Sequence, residues 1–369
     1  MRVGVLFSAN QSMGGVFQYS MSFINSLKRN KRINEINIYT YNKKFKLKGC
    51  NIVVINNYKL FYLLSIISGV LNFFPKFLFK ENDIVFAPSY SPLLFFSKPK
   101  FVFTLHDLQE LYYPEYFSKS VIFWRNFLNN KLTSKSFKVI TESKYVKNDI
   151  LKIFNLLNGK VIVIESPPFF EYKNHKTNFS DNKKQNSPLT SPYIFFPAQF
   201  WKHKNHIRVI EAFGLVKNIH PNIKMILTGS KSREYLKILE KIKNLKLNSE
   251  IILKGPINQD EMPRYFKNAL LVIAPTLYES ISIPVFEAFK YETPVCASGI
   301  FAIKDQVGDG GITFDPLDVN SISSSLIKII NDADLRKSLI NNGKKRLSFF
   351  SDKRFNEQIN IILNANKTN

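Results

Sequence analysis

Short runs that are apolar throughout recur along the chain, each followed by a longer stretch in which apolar residues return at helical spacing. In the first half the runs are VGVLFSA, INIYTY, NIVVI, DIVFAPS, FVFTLHD and FKVITES, with Phe17 to Leu27 as the first intervening helix. Runs of this length without polar alternation predict strands buried on both faces. Strands that alternate with helices predict a parallel sheet wrapped by helices. The pattern fails between Glu171 and Pro192, where YKNHKTNFSDNKKQNSPLTSP is polar, charged and rich in turn residues. A second series then starts with YIFFPAQ and a helix from about Asn205, and continues with IKMILTGS, EIILKGP, LLVIAPT and TPVCAS.

The expected fold class is therefore α/β, with two doubly wound Rossmann-like domains that face a cleft. The pattern divides the chain into a first domain over 1–171, a linker or loop over 172–191, a second domain over 192–350 and a tail over 351–369. In the tail, Phe355, Ile359, Ile362 and Leu363 share one helical face, which predicts a helix packed on one of the domains. A length of 369 residues supports two cores, because a single core stops growing below that size. Hydrophobic residues at 45% and charged residues at 22% exclude a disordered chain.

Two cysteines, Cys50 and Cys296, build neither a disulfide framework nor a metal-ligand pattern, and read as small buried hydrophobes in a reducing, cytoplasmic setting. The opening run MRVGVLFSA is too short for a signal peptide and reads as the first buried strand. The segment Leu60 to Phe79 is nearly long enough to span a bilayer, but Gly69, Asn72, Pro75 and Lys76 interrupt it. It reads as an apolar helix packed in the domain or touching lipid at its face, with core alone or a true span as the alternatives.

The net charge of +24 includes a crowd formed by Lys28, Arg29, Lys31, Arg32, Lys43, Lys44, Lys46 and Lys48, opposed only by Glu35. Such a surface attracts an anionic leaflet, at about 1 kcal/mol for each basic side chain. It also attracts nucleic acid, and a composition biased to Lys and Asn yields it with no partner at all. No nucleic-acid motif accompanies the charge. The expected partner is thus an anionic membrane surface and not nucleic acid, with the protein peripheral at the inner face of the cell membrane.

In a doubly wound sheet, ligands sit outside the carboxyl ends of the strands, so the residues after each strand are the candidates for chemistry. After the first strand come Gly14 and Gly15 at the mouth of a helix, where backbone amides can approach a phosphate. FVFTLHD ends in His106 and Asp107, followed by LQELYYPEYFS, whose aromatic rings can form a sugar platform or a packed patch. In PAQFWKHKNH, Lys204 stands just before a helix that Asn205 can cap, a good position for a diphosphate partner. In TLYESISIPVFEAFKYETPVCAS, Glu279 and Glu287 are separated by seven residues, with a helix beginning at about Pro284. One carboxylate in a loop and one on a helix can accept hydrogen bonds from a sugar and a ribose along one wall.

Taken in order, the glycine pair, HD after a strand, the lysine loop, TGS, KGPI, the two spaced glutamates, EAF and TPV resemble the retaining glycosyltransferases of the GT-B fold and GT4 family. The wording of HDLQELYYPEYFS and PAQFWKHKNH is most similar to bacterial enzymes that extend surface polysaccharides, several of them mannosyltransferases. The resemblance implies a hexosyltransferase that moves a hexose from a nucleotide sugar to a glycan or lipid-linked oligosaccharide acceptor. It implies that Gly14 and Gly15 approach the donor diphosphate, Lys204 neutralises it, Glu287 holds the ribose, Glu279 binds the donor sugar, and His106 contacts the sugar near the reacting carbon. Asp107 either orients His106 or caps the next turn. No metal and no cofactor are expected, since a lysine with a helix terminus can carry the charge of the leaving group.

Two positions depart from the family pattern. Gln199 stands where an arginine is usual, and Ser280 and Ser282 replace common glycines, although their hydroxyls can donate to phosphate. Rival readings are a nucleotide-sugar converting enzyme, such as an epimerase, and a basic nucleic-acid-binding protein.

Overall fold

The apolar runs of the first half become one parallel sheet because each strand sends alternate side chains into two different cores. Its strands are β1 (Arg2–Leu6), β2 (Glu35–Thr40), β3 (Asn51–Val54), β4 (Ile84–Ala87), β5 (Phe101–Thr104), β6 (Lys138–Thr141) and β7 (Val161–Val163). Phe86 and Val102 pack on one face with Phe23 and Ile24, whereas Val85 and Phe103 pack on the other with Leu128 and Leu132. Both faces of the sheet are covered, as a parallel sheet requires.

The structure, a computed structural model, describes residues 1–9, 15–165, 167–168, 187–232, 234–258 and 260–367. The chain divides into unit 1, Met1–Phe170 with Phe350–Asn369, and unit 2, Glu171–Phe349. Residues 172–186 of the expected linker lie outside the described residues.

Among the described residues, unit 1 has the strand order β3-β2-β1-β4-β5-β6-β7, with every pair parallel. Its helices are α1 (Gly15–Lys28), α2 (Tyr58–Leu71), α3 (Gln109–Tyr112), α4 (Lys119–Lys135) and α5 (Lys144–Ile153). Ser118 and Ser143 cap α4 and α5 by accepting from Val121 N (3.3 Å) and Val146 N (3.2 Å).

Unit 2 contains β8 (Tyr193–Pro197), β9 (Lys224–Thr228), β10 (Ile251–Gly255), β11 (Leu271–Ala274), β12 (Val295–Ser298) and β13 (Gly311–Phe314). Their order is β10-β9-β8-β11-β12-β13, again all parallel. Around them lie α6 (His206–Ile219), α7 (Tyr235–Asn244), α8 (Met262–Asn268), α9 (Ile283–Lys290), α10 (Phe301–Val307), α11 (Val319–Asn331) and α12 (Ala333–Ser348). The last helix, α13 (Asp352–Lys367), belongs to unit 1. It buries Phe355, Ile359, Ile362 and Leu363 there, with Phe355 edge-on to Phe23 of α1 at 5.1 Å.

Each sheet reverses its strand order once, between β1 and β4 in unit 1 and between β8 and β11 in unit 2. At such a reversal the loops leaving two neighbouring strands diverge and leave a crevice. Among the described residues no helix is long and apolar enough to cross a membrane. The apolar segment enters the 14-residue α2 at the helix's third residue, Leu60, and the helix ends where Asn72 turns left-handed at φ 55°. Cys296 is buried, as expected of a small hydrophobe, whereas Cys50 is only partly so because it precedes the edge strand β3.

Candidate functional site

In unit 2 the loops that leave β8 and β11, the two strands flanking the reversal, are fastened together. Leu277 N donates to His203 O at 2.7 Å. Lys204 Nζ forms a hydrogen-bonded ion pair with Glu279 Oε1, and the two side chains are 14% and 22% exposed. A cation and an anion thus meet where the fold leaves its crevice. Both remain partly accessible, so an incoming anion can compete for the lysine.

The surrounding loops are held by specific contacts. Gln199 Oε1 accepts from Ser230 N (2.8 Å), which ties the loop after β8 to the loop after β9. Between them Gly229 has φ 149°, and a Cβ there would lie 2.5 Å from Ala198 O, so the close approach of the two loops requires glycine. Ser282 is locked through its backbone: its N–H donates to Gln306 Oε1 and its carbonyl accepts from Gln306 Nε2, both at 2.7 Å. Gln306 is buried on α10 and was not foreseen from the sequence. Ser280 and Ser282 are buried, and Pro284 opens α9 with Glu287 buried one turn further in.

Asn205 departs from expectation. It adopts φ 63°, which turns its side chain away from the first amides of α6, so it makes no cap. Its Nδ2 donates instead to Pro316 O (2.7 Å), and its Oδ1 accepts from Arg208 (3.2 Å).

Burial and then the charge of Lys204 push both His203 and His206 down to about 3. His206 stacks on Phe196 with centroids 4.3 Å apart, and its Nε2 is buried without a partner, so it is held neutral. The consequence for stability follows from linkage. Above about pH 6.5 the folded and unfolded histidines are alike, whereas below it only the unfolded ones take up protons. Each histidine should therefore cost about 1.4 kcal/mol per pH unit as the pH falls from about 6.5 towards the folded value. Urea unfolding of wild type and His206→Phe between about pH 7 and 5 isolates one share, and an unchanged slope in the variant would contradict it.

In unit 1 the carboxyl ends of three neighbouring strands meet at His106. Its Nδ1 lies 2.8 Å from Glu142 Oε2, just after β6, and its Nε2 lies 2.9 Å from Pro88 O, just after β4. A carboxylate and a carbonyl only accept hydrogen bonds, so both ring nitrogens must carry protons. Burial lowers the pKa of His106, but the hydrogen bond and charge of Glu142, the charge of Asp107 and the Pro88 carbonyl together raise it above its ordinary value. Tyr19, on α1, meets the ring in a T-shaped contact with centroids 4.7 Å apart. Glu142, whose side chain is 3% exposed, was not singled out from the sequence.

Asp107 caps the next turn: its Oδ1 accepts from Gln109 N (3.4 Å) and pairs with Arg125 (3.1 Å). Arg125 also pairs with buried Glu110 at 2.9 Å. Gly15 is the exposed first residue of α1, and Gly14 lies outside the described residues.

The chain is similar in fold to Anabaena Alr3699/HepE, solved in complex with UDP and glucose (TM-score 0.76, 16% identity, 99% of this chain and 100% of that one). It is similarly close in fold to WaaG, a glycosyltransferase involved in lipopolysaccharide biosynthesis (TM-score 0.71, 15% identity, 97% and 98%). Both units are Rossmann-like parallel α/β domains, and the fold is that of the GT-B glycosyltransferases. Residues 178–346, nearly all of unit 2, match the family model of glycosyl transferases group 1.

Among curated relatives, it is 28% identical over 228 residues to an uncharacterized glycosyltransferase, MJ1607, of Methanocaldococcus jannaschii, covering 58% of this chain. It is 25% identical over 247 residues to the O-antigen chain mannosyltransferase RfbU of Salmonella typhimurium, covering 67% of this chain. The chain spans 56% and 65% of the length of these two relatives.

Proposed function

We propose that the chain moves a hexose, mannose in the first instance, from a nucleotide sugar to a growing surface glycan carried on a lipid, with retention at the anomeric carbon. The observation that carries this reading is the Lys204–Glu279 pair at the strand-order reversal of a group 1 domain. Charge grows on the leaving diphosphate as the anomeric carbon takes on oxocarbenium character, so a fixed cation aimed there lowers the barrier. Lys204 supplies that cation, exchanging Glu279 for phosphate. Glu279 then turns to the donor sugar, Glu287 holds the ribose, and the hydroxyls of Ser280 and Ser282 donate to phosphate. Gln199, neutral where an arginine is usual, leaves Lys204 with a larger share of the charge.

In unit 1, Gly14 and Gly15 are assigned to the diphosphate and His106 to the sugar. With both ring N–H groups engaged, His106 acts through its charge and ring edge rather than by shuttling a proton. The reaction as proposed requires no metal and no further cofactor. The O-antigen mannosyltransferase relatives support the choice of mannose and a lipid-carried acceptor. The protein would work at an anionic membrane surface. A panel of nucleotide sugars tests the reading: one or a few should raise the melting temperature and be slowly hydrolysed. A panel without effect would refute it.

A further inference from the structure

Helix α2 is built inside out. Its buried residues are Ser65, Ser68 and Gly69, whereas Leu60, Leu63, Leu64, Ile67, Val70 and Leu71 are 42 to 69% exposed. The small residues face inward because α2 packs tightly: a Cβ on Gly69 would lie 3.0 Å from Phe95. Ser65 keeps its hydroxyl satisfied within the helix by donating to Tyr62 O (2.7 Å). The spacing of the exposed residues places them along one face, so the outer stripe of the helix is a continuous apolar strip.

Helix α4 extends this strip. The same Cβ on Gly69 would lie 3.7 Å from Phe127 of α4, and Lys131 donates to Asn72 at 3.3 Å, so the two helices lie side by side. Phe123 and Trp124, one turn before Phe127, are 62% and 41% exposed, and beyond α2 Phe73 and Phe77 are exposed as well. Isolated exposed hydrophobes are ordinary, but a contiguous patch of this composition marks a surface that leaves water.

The charge around the patch identifies what covers it. No Asp or Glu occurs over residues 36–80 or 119–135, which carry Lys59, Lys76, Lys80, Lys131 and Lys135, and Lys131 lies over Phe127 and Lys135 over Phe74. Lys76 and Lys135 are close enough to repel each other, and the lysine-rich loop after β2 borders the start of α2 through Tyr41 and Tyr58 at 4.9 Å. A second copy of this chain would bring the same cations face to face. An anionic bilayer meets both features at once, with hydrocarbon for the leucines and phosphate for the lysines.

We propose that the α2–α4 face of unit 1 docks on an anionic lipid bilayer and inserts its apolar side chains below the headgroups. The inference rests on the proposed function's reading of an anionic membrane surface and deepens it by naming the face that docks and the insertion of its side chains. Purely electrostatic attraction through the Lys28–Lys48 region would instead predict no insertion.

The chain has two tryptophans, so Trp201→Phe leaves Trp124 as the sole reporter. Mixed with phosphatidylcholine vesicles containing phosphatidylglycerol, Trp124 should shift to the blue and be quenched by lipid brominated on its acyl chains. Pure phosphatidylcholine should have little effect. Leu63→Glu with Ile67→Glu, two exposed positions, should weaken vesicle partitioning roughly tenfold or more without lowering the melting temperature. Vesicle binding with Trp124 unquenched would overturn the proposal, and so would binding abolished only by neutralising Lys43, Lys44, Lys46 and Lys48. Vesicle-free self-association lost in the double variant would overturn it in favour of a second copy. Protection by nucleotide sugars, measured on the same protein, reports separately on the donor-site reading.

Discussion

Lys204→Ala should weaken binding of a nucleoside diphosphate roughly 10- to 100-fold while changing affinity for the bare nucleoside by no more than a few-fold, from a charge-assisted bond worth about 1.5 to 3 kcal/mol. The asymmetry follows from what the lysine touches. Its ammonium, mostly buried beside Glu279, has phosphate as its proposed ligand and no reason to meet the base or ribose. Removing it also leaves the Glu279 carboxylate uncompensated and facing the incoming diphosphate, which adds repulsion to the lost attraction. Glu287→Ala supplies the contrast, because a ribose contact is common to nucleoside and nucleotide and its loss should weaken both alike. Calorimetric titration of the two variants checks this, with thermal denaturation to confirm folding. Equal weakening of both ligands in Lys204→Ala would make the lysine structural.

The second large effect is expected at Glu142. Replacing it with glutamine keeps the shape but removes the charge that holds His106 protonated on both nitrogens. Transfer should fall by one to two orders of magnitude, about 1.4 to 3 kcal/mol, if the imidazolium charge and its orientation serve the reaction. A merely structural glutamate would not shift a titration, so the decisive readout is proton NMR of the His106 ring. In the wild type it should titrate above its ordinary value, and in Glu142→Gln lower.

The sign of the stability effect is set by the same shift. A raised folded pKa stabilises fully below the unfolded value of about 6.5, and the gain is lost as the pH rises through the folded value. Glu142→Gln should therefore cost most stability at acid pH and least at alkaline pH. The groups facing the ring are Glu142, Asp107, the Pro88 carbonyl and the ring of Tyr19, and of these Glu142 favours its charge most.

These two residues show what the sequence makes legible. Strands β4 and β5 declare themselves because all their side chains are buried, and the residues after each strand follow as candidates once a doubly wound sheet is inferred. Lys204 and Glu279 were readable for that reason. That they pair depends on β8 lying beside β11, across 75 residues of chain, which no local pattern encodes. Glu142 follows its strand as His106 follows β5, so the signal existed. It carried no weight until β5 and β6 were seen to be neighbours.

Gln306 gave no signal, because its work is to hold the backbone of Ser282, and any buried amide on α10 would look the same in the sequence. Asn205 is a suitable capping residue by type, but its left-handed backbone gave it other partners. For α2, hydropathy measured how apolar the helix is and could not say which face turns outward, since that depends on the fit of Gly69 against Phe95.

The measurement that bears most directly on the central claim is proton NMR of the protein with the nucleotide sugar that protects it best, followed at the anomeric signals. Nucleoside diphosphate should be released together with a sugar, transferred or hydrolysed, that first appears in the anomeric configuration of the donor. A sugar isomerised while still attached to its nucleotide, or a product that first appears in the opposite configuration, would contradict it.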